Sequence, residues 1–233
     1  LILAVVLVRA RRLLDRAIAE STAARELSRF VSPELASRIA TAEREMQPGD
    51  GEVKHASVLF TDIEGFSTTA QRLKPAELFQ TLNDYFQAVS EVIDRHGGVI
   101  TQFEGDAMLV SYNTLAPDPD HAANAVRTAI EIQELVGARR FGAGAVMKTR
   151  CGINTGELVA GAVGSKDRLL YTVHGDEVNI ASRLDDLNKE LGTYVLATAR
   201  TVAEAGGEFV FDRVGEVTVR GRATPTNVFA LRA

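Results

Sequence analysis

Cysteine is nearly absent. Cys151 stands alone among 233 residues, so no disulfide framework can form within the chain, and a reducing compartment suits it. No apolar run reaches the roughly 20 residues that a membrane-spanning helix needs. Positive charge is not in excess: 26 Lys and Arg against 31 Asp and Glu leave a formal net charge of −5. That balance argues against broad, charge-driven binding to nucleic acid. The four histidines, His55, His96, His121 and His174, show no metal-ligand spacing along the chain, and Cys151 has no partner. Zinc chemistry and a Cys–His nucleophile therefore find no support in the spacing. Walker A and dinucleotide-binding loops are missing too, since neither GK[ST] nor GxGxxG occurs. Internal repeats and low-complexity segments are absent. What remains is an ordinary globular composition, 45% apolar and 24% charged. The length suits one full domain plus an appendage, able to bury a core without disulfide or metal staples.

Residues 1–8 (LILAVVLV) are uninterrupted apolar sequence, followed by Arg9, Arg11 and Arg12. This pattern predicts the inner end of a transmembrane helix, with the arginines on the cytoplasmic side. A short buried helix or the remnant of a signal peptide is the alternative. The chain opens without Met, which predicts a piece of a longer protein, anchored in the cell membrane with its main domain in the cytoplasm. Residues 9–46 contain no glycine and read as a long N-terminal helix, within a helical linker assigned to 9–50. Leu13, Ala17, Ala24, Leu27 and Val31 follow alternating four- and three-residue steps, with Glu20 as the polar exception. The stripe fits parallel pairing with a second copy or packing on the chain's own domain. Ser32-Pro33-Glu34 predicts a helix restart, with Ser as cap. Gln47-Pro48-Gly49-Asp50-Gly51 is a breaker, which places the main domain at 51–233.

Beyond His55 short strands alternate with helices. Residues 56–61 predict a strand, 76–96 a helix with Leu78, Phe79, Leu82, Tyr85, Phe86, Val89 and Ile93 on its core face. Residues 99–103 and 107–112 predict a hairpin, and 120–136 a second helix. Strands follow near 148–153, 158–163 and 169–173, then a helix over 177–191, then strands near 194–197, 209–219 and 227–231. The fold class is α+β: one mostly antiparallel sheet with helices packed on it.

Two aspartates mark the chemistry. Asp62 closes the apolar strand in VLFTDIEGF, and Asp106 sits in the hairpin FEGDAML. A strand end and a neighbouring hairpin can bring both carboxylates to one sheet edge, where hard cations such as Mg²⁺ find oxygen ligands. Taken singly, each Asp is a common turn or cap residue; the pair is the stronger signal. In HGDEVNIASRL, Asp176 can cap a helix that carries Asn179 and Arg183 four residues apart on one face. Such a helix suits phosphate oxygens, and equally a capped surface helix with a structural arginine. Arg220-Gly221-Arg222 adds cations near the C-terminus, where a solvated charged turn is also a sufficient account. The glycines of GINTGELVAGAVG suggest a tight strand–turn–strand passage.

FTDIEGF, FEGDAML, GINTGELVAGAVG and HGDEVNIASRL, in that order, closely resemble the class III nucleotidyl cyclases, the adenylyl and guanylyl cyclase catalytic domain. The resemblance covers residues 53–233. It implies a palm-like, ferredoxin-like α+β domain working as a head-to-tail homodimer with active sites in the groove between subunits. It further implies that Asp62 and Asp106, with the Ile63 carbonyl, hold two Mg²⁺ or Mn²⁺ ions per site. Asn179 and Arg183 of the other subunit would orient the ribose and stabilise the transition state. Arg222, or Arg220, stands near the family's triphosphate-binding lysine. Phe103 and Gln102 beside the hairpin, with Thr172, fall at substrate-binding positions.

Base selection is where this chain departs from the pattern. Many adenylyl cyclases have Lys and Asp where this chain has Gln102 and Thr172, and guanylyl cyclases typically have Glu and Cys. A Gln amide offers donor and acceptor together, matching adenine, or guanine when rotated. The resemblance therefore implies ATP as substrate and 3′,5′-cyclic AMP as product, with incomplete discrimination against GTP. A guanylate or mixed-specificity cyclase and an inactive, regulatory cyclase-like domain are the alternatives. A polymerase-like palm lacks its GGDEF-type motif here. The helix ahead of Pro48 would carry signals from a membrane or sensor region to the dimer groove.

Overall fold

The computed structural model describes residues 32–42, 44–217 and 225–232. The predicted apolar run at 1–8, the stripe from Leu13 to Val31, and Arg220 and Arg222 lie outside them. The chain divides into two compact units, Leu1–Glu45 and Met46–Ala233. In the first, α1 (Pro33–Thr41) starts as the sequence predicts: Pro33 sits in the first turn, and the Ser32 hydroxyl accepts from the Leu35 N–H at 3.3 Å. The helix stops at Thr41, short of the predicted Met46, because Ala42 turns to extended backbone. Among the described residues no helix is long and apolar enough to cross a membrane.

The second unit is a mixed α+β domain around an eight-stranded sheet in the order β2-β3-β1-β4-β6-β8-β7, with β5 paired to β4. Its central ladder joins β1 (Gly51–Ile63) to β4 (Thr149–Ser165), antiparallel from Gly51 opposite Gly161 to Ile63 opposite Thr149. The hairpin of β2 (Val99–Glu104) and β3 (Ala107–Tyr112) pairs with β1 through β3. β5 (Arg168–His174) returns along the far half of β4. Among the described residues the single parallel pairing joins β4 to β6 (Val195–Thr198), and β7 (Phe211–Val217) and β8 (Thr226–Leu231) close that edge. Ahead of β1 the chain is clamped to β4: Gly49 N–H donates to the Ala162 carbonyl at 2.9 Å, and Ala162 N–H donates to the Asp50 carbonyl at 2.7 Å.

Side chains alternate across a strand, and the two faces differ. Leu59, Ile63, Met108, Val110, Cys151 and Ile153 share one core with α3 (Pro75–Arg95) and α4 (His121–Ala138). Tyr85 and Tyr112 are fully buried there, bonded to the Thr149 and Thr128 hydroxyls. On the predicted core face of α3, Tyr85, Val89 and Ile93 are buried and Leu82 and Phe86 pack against the core, whereas Phe79 is 70% exposed; Thr81, Ala88 and Val92 are buried as well. The opposite face receives α5 (Asp176–Leu191), whose Ile180 and Leu184 pack with Leu196 and Val228. Two short helices, α2 (Phe66–Arg72) and α6 (Ala199–Ala205), were not apparent from periodicity; seven residues give barely two turns of pattern.

Two predicted strands at 148–153 and 158–163 are one continuous strand, and its glycines serve close packing instead of a turn. A methyl group on Gly152 would lie 2.2 Å from the Ala181 carbonyl oxygen of α5, and one on Gly161 would lie 2.3 Å from the Asp50 carbonyl oxygen. Backbones approach there because no side chain intervenes.

Candidate active site

Asp62 is the next-to-last residue of β1, and alternation turns it toward α5, away from the main core. Asp106 follows the turn between β2 and β3, where Gly105 adopts φ +67°, a left-handed conformation that favours glycine. Its carboxylate reaches back to β1 and accepts from the Ile63 N–H at 3.3 Å. The structure thus brings Asp62, Ile63 and Asp106 to one sheet edge. Burial and then the neighbouring Asp62 charge raise the Asp106 carboxyl above its ordinary range. The strand end is held by Glu64, which accepts from Arg150 at 2.6 Å and from the Tyr194 hydroxyl at 2.9 Å.

A third carboxylate was missed by the sequence reading. Asp185 is 3% exposed, and its Oδ1 is buried without a hydrogen-bond partner. Burial and the Asp62 charge push its carboxyl up to about 6, against the pull of Lys189. The Lys189 ammonium bridges the group, 3.2 Å from Asp185 and 3.6 Å from Asp62. The signal available was Asp185 and Lys189 four residues apart on a helix, which ordinarily marks only a solvated ion pair. A hard divalent cation fits this donor set: two carboxylates in mutual repulsion, with a buried, unsatisfied carboxylate oxygen close by.

Asn179 and Arg183 are both exposed on α5. Asp176 does not cap that helix; Gly175 holds the cap position and Asp176 is the first helical residue. Along the helix axis Arg183 lies about 9 Å and Asn179 about 15 Å from Lys189, whose ammonium touches Asp62, at 1.5 Å per residue. The strands carrying Gln102 and Thr172, β2 and β5, approach each other. Thr172 is 2% exposed, and its hydroxyl has no partner. Phe103 is exposed, with its ring edge-on to Phe86 at 4.8 Å. A cavity of about 290 Å³ lies beside the start of α5, lined by Asn154, Glu177, Thr198 and Arg200 among others.

The histidines meet groups remote in sequence. Although their spacing shows no metal pattern, the fold brings His55 and His121 together with Glu204, and their ligand atoms lie within 4.8 Å of one another.

Comparison with known proteins agrees with this geometry. The family model described as "Adenylate and Guanylate cyclase catalytic domain" matches residues 50–232. Adenylate cyclase 1 of Rhizobium meliloti is 38% identical over 180 residues, 76% of this chain and 27% of that protein, so the chain spans about a quarter of its relative's length. The guanylate cyclase domain of RhGC from Catenaria anguillulae, solved in complex with GTP, superposes with a TM-score of 0.70 at 25% identity, covering 78% of this chain and 98% of that one. A bacterial light-regulated adenylyl cyclase shares the fold, with a TM-score of 0.81 at 22% identity over 97% of this chain and 64% of that one. With its carboxylate pair at one sheet edge and its Asn179/Arg183 helix beside it, the chain belongs to the adenylate and guanylate cyclase catalytic domain family, the class III nucleotidyl cyclases.

Proposed function

We propose that the protein is an adenylate cyclase, converting ATP to 3′,5′-cyclic AMP and pyrophosphate at sites shared between two copies of the chain. The observation that carries this is the separation along α5. Asn179 lies ten residues, about 15 Å along the helix axis, from Lys189, the residue that touches Asp62, which favours a reacting phosphorus shared between two chains. A head-to-tail pair supplies Asp62 and Asp106 from one copy and Asn179 and Arg183 from the other.

Asp62 and Asp106, with the Ile63 carbonyl, would hold Mg²⁺ or Mn²⁺. When bound, such ions supply Lewis acidity at the ribose 3′-oxygen and neutralise phosphate charge. The Asn179 amide orients the ribose. The Arg183 guanidinium donates to phosphate oxygens where negative charge develops, so it acts most strongly in the transition state. Arg220 or Arg222 binds the triphosphate. Gln102 and the partnerless Thr172 hydroxyl face the base, and the 38% identical adenylate cyclase supports ATP over GTP. The apolar residues 1–8 followed by arginines support membrane attachment, with this domain on the cytoplasmic side.

Turnover of ATP and of GTP across a protein dilution series, with Mn²⁺ present, tests substrate and assembly together. ATP is expected to be the faster substrate, with specific activity falling on dilution. Faster GTP turnover would reassign the base, and no turnover of either would favour a regulatory domain. Mixing equal amounts of Asp62→Asn and Arg183→Ala chains should restore about a quarter of wild-type activity, since half of random dimers are mixed and each has one intact site.

A further inference from the structure

A line of buried polar groups runs from α5 through the sheet to α4 and α6. The Asn154 side-chain amide donates to Glu177 Oε2 at 2.6 Å, and the Thr198 hydroxyl donates to Asn154 Oδ1 at 2.7 Å. Thr201 lies 3.2 Å from Thr198 and 3.0 Å from Thr155. Thr155 lies 2.7 Å from Ser57, and Ser57 lies 2.8 Å from His121 Nδ1.

Each hydroxyl carries one proton. With the Thr198 proton on the Asn154 amide oxygen and the Thr201 proton on Thr198 or on the Ile153 carbonyl, 3.4 Å away, Thr201 accepts from Thr155, Thr155 from Ser57 and Ser57 from His121. That arrangement puts the proton of a neutral His121 on Nδ1 and leaves Nε2 with a bare lone pair; a Thr201 proton directed to Thr155 reverses the line.

That lone pair faces a carboxylate. His121 Nε2 is 4.0 Å from Glu204 Oε2, and burial lowers the imidazole's pKa, so the ring does not supply a charge of its own. His55 Nε2 completes the group, 2.8 Å from the same Glu204 oxygen. A lone pair and a carboxylate oxygen facing each other across 4.0 Å leave a place for a cation, and with His55 the three ligand atoms lie within 4.8 Å of one another. Ligands about 2.0–2.1 Å from a tetrahedral ion stand roughly 3.4 Å apart, which lies between the two observed separations.

We propose that His55, His121 and Glu204 form a binding site for a borderline divalent cation of the zinc class. Two imidazoles and one carboxylate select such ions over Mg²⁺, which prefers an all-oxygen shell. Ser57 serves as the outer partner that fixes the His121 tautomer. His55 is 45% exposed at its side chain, so the site opens to solvent and leaves room for water as fourth ligand. Bound there, the ion would tie β1, α4 and α6 together, remote in kind from the all-oxygen site of Asp62 and Asp106.

The test is a Co²⁺ titration followed by visible absorption, with Zn²⁺ competition and metal analysis after gel filtration. The whole chain carrying Asp62→Asn and Asp106→Asn is used, so that the oxygen site cannot contribute. One equivalent of Co²⁺ with a tetrahedral or five-coordinate spectrum, displaced by Zn²⁺, is expected. His55→Ala and Glu204→Gln, both at exposed positions, should abolish it while leaving the far-ultraviolet dichroism and ATP turnover of the otherwise wild-type chain unchanged. No Co²⁺ spectrum, or a spectrum that survives both substitutions, would overturn the assignment. Since the Co²⁺ spectrum and its loss need no turnover, the proposal and the cyclase function fail separately.

Discussion

Replacing Asp185 by Asn should stabilise the metal-free protein at pH 8 and leave it unchanged at pH 4. The carboxyl is lifted from 3.8 to about 6 in the folded state, so the native protein binds a proton that the unfolded chain releases. Stability then falls as pH rises through that window. The penalty is absent below about pH 4 and complete above about pH 6. The lift corresponds to about 3 kcal/mol at most. The Lys189 ammonium that shares this charge is 44% exposed, and water screening there reduces the figure to about 1.5 kcal/mol. For a domain of this size that is a Tm increase of about 3–6 °C. Thermal and urea unfolding of both proteins in chelator, at pH 4, 6 and 8, supply the measurement. Asp106 contributes with the same sign, since its carboxyl is also raised, but it is common to both proteins and largely cancels in the difference. An Asp185→Asn protein that is less stable than the parent at pH 8, or a difference that does not change with pH, would refute the reasoning.

Further outcomes follow from the same geometry. Arg183→Ala should lower kcat by about 100-fold or more with little change in KM, the pattern of a lost transition-state contact; steady-state kinetics check it, and a raised KM at normal kcat would count against it. Gln102→Glu presents two acceptors toward the N1–H and N2 amino group of guanine, and should move the ratio of kcat/KM values toward GTP by about 10–100-fold, equal to roughly 1–3 kcal/mol. Gly152→Ala forces a methyl group to within 2.2 Å of the Ala181 carbonyl, so α5 must lift; a loss of about 3 kcal/mol on unfolding is expected, with reduced activity. The control Gly137→Ala has open space around it and should stabilise α4 by up to about 1 kcal/mol.

Much of the site was legible because its parts are local in sequence. Asp62 at a strand end, Asp106 in a hairpin and Asn179/Arg183 at helical spacing each announce themselves within a few residues. Cooperation with distant groups left no such trace. Asp185 became part of the carboxylate cluster only because α5 crosses the end of β1, and its i,i+4 partner Lys189 resembles any surface pair. His55, His121 and Glu204 belong to a strand and two helices far apart in the chain, so only the folded sheet reveals them. The glycines of β4 misled for a related reason. A glycine is required both for a sharp turn and for a close backbone approach, and sequence alone does not say which. The start of α3 shows a further limit: Phe79 fits the apolar period yet faces outward, while Thr81 turns inward against Gly142.

The clamp ahead of β1 has a mechanical consequence. Gly49 and Asp50 hold Ala162 through two backbone bonds, and the adjacent Gly161 lies opposite Thr172 in the β4–β5 ladder. Asp62 lies about 12 residues farther along β1, about 40 Å away at the rise of an extended strand. A push or pull entering through residues 47–50 therefore arrives next to the strand that carries Thr172 long before it reaches the carboxylates. A displacement delivered along that route acts as a lever on β5, with the Asp62 end of the sheet as its distant fulcrum.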